Sequence, residues 1–221
     1  MKLKYYAKLD LFRTVYFNYR FLPLKQAWKL PVAIFRKTRF ISLKGKVELP
    51  EKVRHAMIKI GRADVAGWHG RQTELSIDGK LIFLGKATIG SGSAISISKS
   101  GTLSFGDKLR ITAGCMINCR KSVVLGDDCL ISWDTLIMDC DHHEINDAAG
   151  KRLNDDKAVL IGSHVWLGCR AALLKGVRIA DGSVVAAGSI LTGDFHETPN
   201  AVIGGSTSAQ KILRQDICWK E

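Results

Sequence analysis

Between Leu160 and Leu191 the chain repeats every six residues. Aliphatic side chains stand at Ile161, Leu167, Leu173, Ile179, Val185 and Leu191 without a slip. The residue after each beat is mostly small (Gly162, Gly168, Ala180, Ala186, with Leu174 the exception), and the fifth position of each six is compact at Val165, Ala171, Val177, Ser183 and Ser189. A helix would need apolar spacings of three and four, and a fixed short period is the mark of a solenoid. The spacing therefore predicts an all-β solenoid wound as a triangular prism, with one short strand per six and three strands per coil. The aliphatic side chain points inward, and the small residue after it lets the backbone turn the corner at little steric cost. Successive coils stack about 4.8 Å apart.

The same beat runs earlier in the chain through Ile77, Phe83, Ile89 and Ile95. It slips at Lys99-Ser100-Gly101-Thr102, resumes at Phe105, Ile111 and Ile117, slips again around Arg120-Lys121-Ser122, and resumes at Leu125, Ile131 and Ile137. The restarts Phe105-Gly106-Asp107 and Leu125-Gly126-Asp127 lie twenty residues apart. That is one coil plus two residues, so both slips are expected as small bulges at one corner. Between Ile137 and Ile161 the stretch Asn146 to Lys157 has no aliphatic beat and reads as a loop thrown out of the prism; loops on rigid scaffolds often carry function. The organisation expected is an N-terminal segment 1–60, partly helical, then the solenoid domain over 61–205 with the extruded loop 146–157, and a tail 206–221; irregular first coils are expected over residues 41–76, with the regular beat from Ile77. A short closing helix is expected over Lys211 to Glu221.

The run Ile161-Gly162-Ser163-His164-Val165-Trp166-Leu167-Gly168 resembles the IG-x-x-VW-[IL]-G signature of the hexapeptide-repeat acyltransferases, in the sugar O-acetyltransferase branch with the galactoside, maltose and lipopolysaccharide acetyltransferases. The resemblance spans roughly residues 77–214 and implies a left-handed parallel β-helix. It also implies acetyl-CoA as acyl donor, a sugar hydroxyl of a capsule, O-antigen or similar precursor as acceptor, and a homotrimer with sites between subunits. Similar enzymes carry D-x-D-[FH]-H-x-I before the extruded loop, and here the run is Asp139-Cys140-Asp141-His142-His143-Glu144-Ile145. Acyl transfer to a hydroxyl needs a base near neutral pH, which histidine supplies. By the resemblance His143 is that base, with His142 the runner-up and Asp141 a candidate for orienting the ring. Asp139, Thr112 and Trp133 are candidates for the acceptor side. Trp166, Gly168, Cys169 and Ala187 would line the pantetheine groove, with Thr192 further out and Lys211 and Arg214 toward the nucleotide phosphates. The chain departs from the pattern at Thr112, where Asn is usual, at Gly193, where Lys is usual, and at the closing Gly205 to Lys211.

Other function classes follow less well. A metalloenzyme like the γ-type carbonic anhydrases needs three converging histidines, and adjacent residues such as His142 and His143 point to opposite faces, so no metal is expected. A non-catalytic assembly solenoid would have no use for the Asp139–Ile145 cluster. The net charge is +12, and residues 1–40 hold ten Lys or Arg against one acid, interleaved with ten aromatics. No nucleic-acid motif accompanies that charge. The segment reads either as a cap on the open first coil, which solenoids require, or as a surface for anionic lipid. The six cysteines form no CxxC pair and read as small, reduced, buried residues. With no signal-peptide pattern or spanning run, a cytoplasmic location is expected, with peripheral contact at the inner face of the membrane.

Overall fold

The six-residue beat becomes three parallel ladders. The computed structural model describes residues 8–62, 65–68, 70–206 and 211–216. The first sheet stacks Val32–Ile34, Ile58–Arg62, Ala87–Gly90, Leu109–Ile111, Leu130–Ile131, Trp166–Leu167, Val184–Val185 and Val202–Gly204 in that order. The second begins at Thr38–Leu43 and ends at Ile190–Leu191; the third begins at Lys46–Glu48 and ends at Asp194–Phe195. The chain passes from first to second to third sheet and back, and each pass is one coil. Stacked coils put like on like: Ile60, Ile89, Ile111, Ile131, Leu167, Val185 and Ile203 form one buried column. Phe83 and Phe105 stack in the third sheet with ring centroids 5.4 Å apart. The compact fifth positions Val165, Ala171, Val177, Ser183 and Ser189 are all buried.

The corners explain the small residues between the beats. A Cβ on Gly90 would sit 1.9 Å from the Thr112 carbonyl oxygen of the next coil, so only glycine permits that spacing. The Gly-Asp restarts have a second use. Asp107 accepts the Lys86 amide at 2.6 Å, and Asp127 accepts the Asp107 amide at 2.7 Å. Each carboxylate thus staples its corner to the neighbouring coil. The slips at Ser98–Gly101 and Cys119–Ser122 lie at one corner, between second and third sheets, as expected. A third slip precedes them: Ile95 pairs with Leu75 rather than Ile77, because Asp78 and Gly79 already add the extra residues.

Two boundaries differ from expectation. Coil pairing starts at Val32, ahead of the irregular coils expected from residue 41 and of the domain boundary at 61, with Val32–Ile34 in register with Ile58–Ile60. The early coils have long corners, which hide the beat. At the other end Lys211–Arg214 is a strand, not a helix, antiparallel to Val202–Gly204; it covers the open edge of the first sheet. The remainder of the expected helix, 217–221, lies outside the described residues.

The N-terminal helix α1, Leu11–Phe21, caps the first coil. Asp10 caps it in turn, accepting the Arg13 amide at 2.9 Å. Asn18 accepts the Val32 amide at 3.1 Å and donates to the Val32 carbonyl at 2.7 Å, while Thr14 accepts the Ile34 amide at 3.0 Å. Helix side chains therefore satisfy the exposed strand edge that would otherwise invite another chain. Phe17 is fully buried beneath. The opposite face and the next helix, α2 at Leu24–Ala27, leave Phe12 at 82%, Leu24 at 74% and Trp28 at 65% exposure. Among the described residues no helix is long and apolar enough to cross a membrane.

Candidate active site

The prism has three edges, and the expected site residues divide between two of them. Thr112, Trp133, Gly168, Cys169 and Ala187 follow strands of the first sheet and lie along the edge between first and second sheets. The stack is continuous there: the Arg170 amide donates to the Trp133 carbonyl at 3.0 Å, and the Gly188 amide to the Cys169 carbonyl at 2.9 Å. Trp166, on the outer face of the first sheet, is 37% exposed, and its indole N–H donates to Ser132 Oγ at 3.0 Å. That bond fixes the ring and leaves much of it open. The Thr112 hydroxyl is enclosed and has no hydrogen-bond partner among the described residues, an arrangement that costs free energy unless something completes it.

Asp141, His142, His143 and Thr192 lie along the next edge, between second and third sheets. The strand Leu136–Met138 of the second sheet runs between the two edges, from the Trp133 corner to the Asp139 corner. Lys211 lies on the end strand of the first sheet, exposed; the Arg214 side chain and Cys218 fall outside the described residues.

The loop departs where Asp139 closes the corner. Asp139 is fully buried and accepts three backbone amides, from Arg120 at 2.7 Å, Lys121 at 2.8 Å and Ser122 at 2.7 Å. This corrects its expected acceptor role: the carboxylate faces inward and satisfies the two-residue slip of the coil below. Asp141 is likewise not spent on a histidine ring. Its carboxylate takes a short bond from Lys175 Nζ and another, 2.8 Å, from Asn154 Nδ2. The Lys175 bond, aided by Asn154, holds the carboxyl below the usual range. His142 sits at φ +63°, and its carbonyl accepts from Arg120 at 3.3 Å. The tight turn is closed by the His143 amide donating to the Asp141 carbonyl at 2.7 Å. The His143 side chain stands exposed beyond it, with no ring hydrogen bond among the described residues.

Asn154 was not legible as a site residue. It is buried, donates to Asp141 and to the His143 carbonyl at 2.8 Å, and accepts the Ile145 amide at 2.8 Å. One side chain thus ties the far limb of the loop to the histidine turn. Lys175, on the next coil, completes the clamp. In sequence Asn154 is one polar residue in a polar loop, and no periodic signal marks it.

Four described cysteines, 115, 119, 129 and 140, are buried and free, while Cys169 is half-buried and free. Burial pushes the Cys115 and Cys119 thiols up to about 12 and Cys129 to about 11. Among the described residues no three His, Cys, Asp or Glu side chains gather as a metal site would require.

No protein-family model matches the chain. WbbJ of Escherichia coli (strain K12), whose name describes a lipopolysaccharide biosynthesis O-acetyl transferase, is 31% identical over 147 residues, 62% of this chain and 73% of that protein. The galactoside O-acetyltransferase of the same strain is 31% identical over 114 residues, 46% of this chain and 52% of its own. The polysialic acid O-acetyltransferase of Escherichia coli O1:K1 is 32% identical over 124 residues, 55% of this chain, and the match spans 39% of that longer protein. In three dimensions the chain is similar to the polySia-specific acetyltransferase NeuO, with a TM-score of 0.64 at 23% identity, covering 86% of this chain and 79% of NeuO. That likeness gives the winding as a left-handed parallel β-helix. With the Ile161–Gly168 signature, the hexad columns and the extruded histidine loop in place, the chain belongs to the hexapeptide-repeat O-acetyltransferases, in the branch that acetylates sugars.

Proposed function

We propose that this enzyme moves an acetyl group from acetyl-CoA to a hydroxyl of a surface-glycan precursor, with His143 as general base. The observation that carries this is the His143 turn itself: an exposed imidazole held on a backbone that Asn154, Asp141 and Lys175 fasten to the rigid coil. In the reaction an imidazole nitrogen takes the proton from the sugar hydroxyl as its oxygen attacks the thioester carbonyl. The C–O bond forms and an oxyanion develops. Collapse breaks the C–S bond, and the departing thiolate recovers the proton from the imidazolium. Transfer of label from acetyl-CoA to a panel of lipid-linked and nucleotide-linked sugars tests this; hydrolysis of acetyl-CoA without any acetylated sugar would contradict it.

The division of the site between two edges supports a homotrimer. His143 on one subunit would meet Trp166, Cys169 and Ala187 on the neighbouring subunit, and closed symmetry with one such contact per chain is C3. Light scattering that found an active species at the 24.3 kDa chain mass would contradict the shared site.

A peripheral membrane contact at the cytoplasmic face fits the cap. Its exposed Phe12, Leu24 and Trp28 stand beside Lys25 and Lys29, and Lys29 lies over the Trp28 ring at 5.8 Å. Capping uses the Thr14–Asn18 face of α1, whereas lipid contact would use Phe12 together with α2 and Trp28, so the two readings are compatible. Arg13 and Arg20 belong to the cap: Arg13 pairs with Asp10, and Arg20 donates to the Leu43 carbonyl.

A further inference from the structure

The corner between first and second sheets repeats one left-handed turn residue up the stack, at Gly92, Gly114, Asp134, Arg170 and Gly188, with φ of +76°, +58°, +58°, +60° and +71°. Each stands three residues after a paired beat, Ile89, Ile111, Ile131, Leu167 or Val185. Aspartate and arginine at the same backbone angle show that the turn alone does not demand glycine. At the two lower coils space demands it. A Cβ on Gly114 would lie 2.2 Å from Trp68 Cη2, and one on Gly92 would lie 3.0 Å from Trp68 Cε3. The indole is seated against these two glycines. It is carried by the segment that joins Ile58–Arg62 of the first sheet to Thr73–Ile77 of the second. Ser91 Oγ donates to the Trp68 carbonyl at 2.7 Å and holds that segment to the corner.

The seated indole in turn positions a charge. Arg71 Cζ lies 4.1 Å from the Trp68 ring centroid, within cation–π range. Arg71 is exposed, and the carboxylates nearest it along the chain and the edge are engaged elsewhere. Glu74 pairs with Arg39 at 3.8 Å and accepts from Gln72 Nε2 at 2.8 Å, and Asp134 faces Arg170 at 3.9 Å. A guanidinium stacked on an aromatic ring has given up side-chain freedom in advance, and its fork of N–H donors matches a carboxylate. The place on the edge adds a direction. Above Gly114 stand the exposed Trp133 and then Cys169 and Ala187. Those upper coils carry the residues proposed for acetyl-CoA, so a glycan of several sugars leaves the transfer point downward, past Trp133 to Arg71. Val65 of the same segment lines a cavity of about 210 Å³ with Arg110, Ile111 and Thr112, which joins the segment to a candidate acceptor residue.

We propose that Arg71, seated by Trp68, binds the carboxylate of an acidic sugar in the acceptor glycan, a unit on the cap side of the sugar that receives the acetyl group. Arg71 is then a specificity residue and Trp68 a positioning residue. The proposal rests on the reading of the acceptor as a surface glycan. Two sources share the chemistry, uronic acids and sialic-type acids.

The test is calorimetric titration of the full chain with tetragalacturonate and with a sialic acid tetramer, each beside its methyl ester, in which the carboxylates are masked. In one pair the acid should bind at least about tenfold more tightly than its ester, and that pair names the source. Arg71→Lys keeps the charge without the fork and should lose most of the preference. Trp68→Leu leaves the guanidinium unseated and should lose it too; if that variant fails to fold, Arg71→Lys carries the test. Lys99→Gln removes a charge from another corner and should keep the preference. No binding, or equal binding of acid and ester in both pairs, overturns the proposal. So does a preference that survives in Arg71→Lys, or one that falls equally in Lys99→Gln, since either would assign it to charge alone. A change of oligomeric mass in Arg71→Lys would also overturn it, by making the segment a subunit contact. If the acid is preferred but no sugar is acetylated, the subsite stands and the proposed activity fails; acetylation of acidic and neutral sugars alike, the same in Arg71→Lys as in wild type, has the opposite meaning.

Discussion

Asn154 holds the carbonyl of His143 from eleven residues away, Nδ2 to oxygen at 2.8 Å, and the same nitrogen reaches Asp141. The proposed base is thus positioned by a side chain that need not touch substrate. Asn154→Ala should lower kcat by roughly 10- to 100-fold, since small misplacement of a reacting group is expensive. The KM for acetyl-CoA should change little, because the residues proposed to line its groove, Trp166, Cys169 and Ala187, lie on another edge. Equal loss in both parameters, or a general loss of folding by circular dichroism, would contradict a positioning role.

The Asp141–Lys175 clamp has a pH dependence of known sign. Lys175 is the main reason the Asp141 carboxyl lies below its ordinary value. A depressed folded value means the clamp contributes fully above the ordinary carboxylate range and is lost as pH falls through the lowered value. Hydrogen exchange at the Ile145 and Leu153 amides, which bond within the loop, should stay slow through mildly acidic pH and speed up only in stronger acid. Lys175→Met should move that loss to higher pH. An unchanged profile in the variant would remove Lys175 from the account.

Asp139 is a matter of stability. Its carboxylate accepts three backbone amides at a buried corner. Asp139→Ala leaves those donors unsatisfied at about 1–3 kcal/mol each, so a loss of about 3 kcal/mol or more is expected, read as a lower Tm of roughly 6–12 °C. A variant that kept its Tm and lost only acceptor affinity would restore the acceptor role.

Much of this was legible because a β-helix writes its period into the chain. Every beat from Phe105 to Leu191 is buried where the spacing put it, and the extruded loop lies between the strands Leu136–Met138 and Val159–Ile161. The first coils were not legible, since Lys46–Glu48 and Ile58–Arg62 are followed by corners too long to keep a beat. Lys211–Arg214 read as a helix because a basic C-terminal stretch after a glycine corner has the composition of one; its partner, Val202–Gly204, is a tertiary fact. At the site, the histidine run was visible by its residue types. The roles of Asp139 and Asn154 depend on which backbone groups a fold leaves unpaired, and no spacing reveals that.

The half-buried Cys169 gives a probe of the cofactor edge. Alkylation followed by mass spectrometry should modify Cys169 before the buried Cys115, Cys119 and Cys129, whose thiols burial makes hard to ionise. Acetyl-CoA should protect it. Protection absent at saturating acetyl-CoA would move the pantetheine path off this edge.

Subunit mixing tests the division of the site. His143→Ala disables one edge, and Ala187→Trp should block the other. Equal co-assembly of the two inactive variants should restore about a quarter of wild-type activity, because that share of interfaces pairs two intact edges. No recovery in mixed trimers would place the whole site within one chain.

The central claim is tested most directly by the turnover of His143→Ala with labelled acetyl-CoA and an accepted sugar, set beside its affinity for acetyl-CoA. The account predicts a kcat lower by about 10²–10⁴, with acetyl-CoA binding nearly intact. Near-normal turnover in His143→Ala, with the loss appearing in His142→Ala, would contradict it.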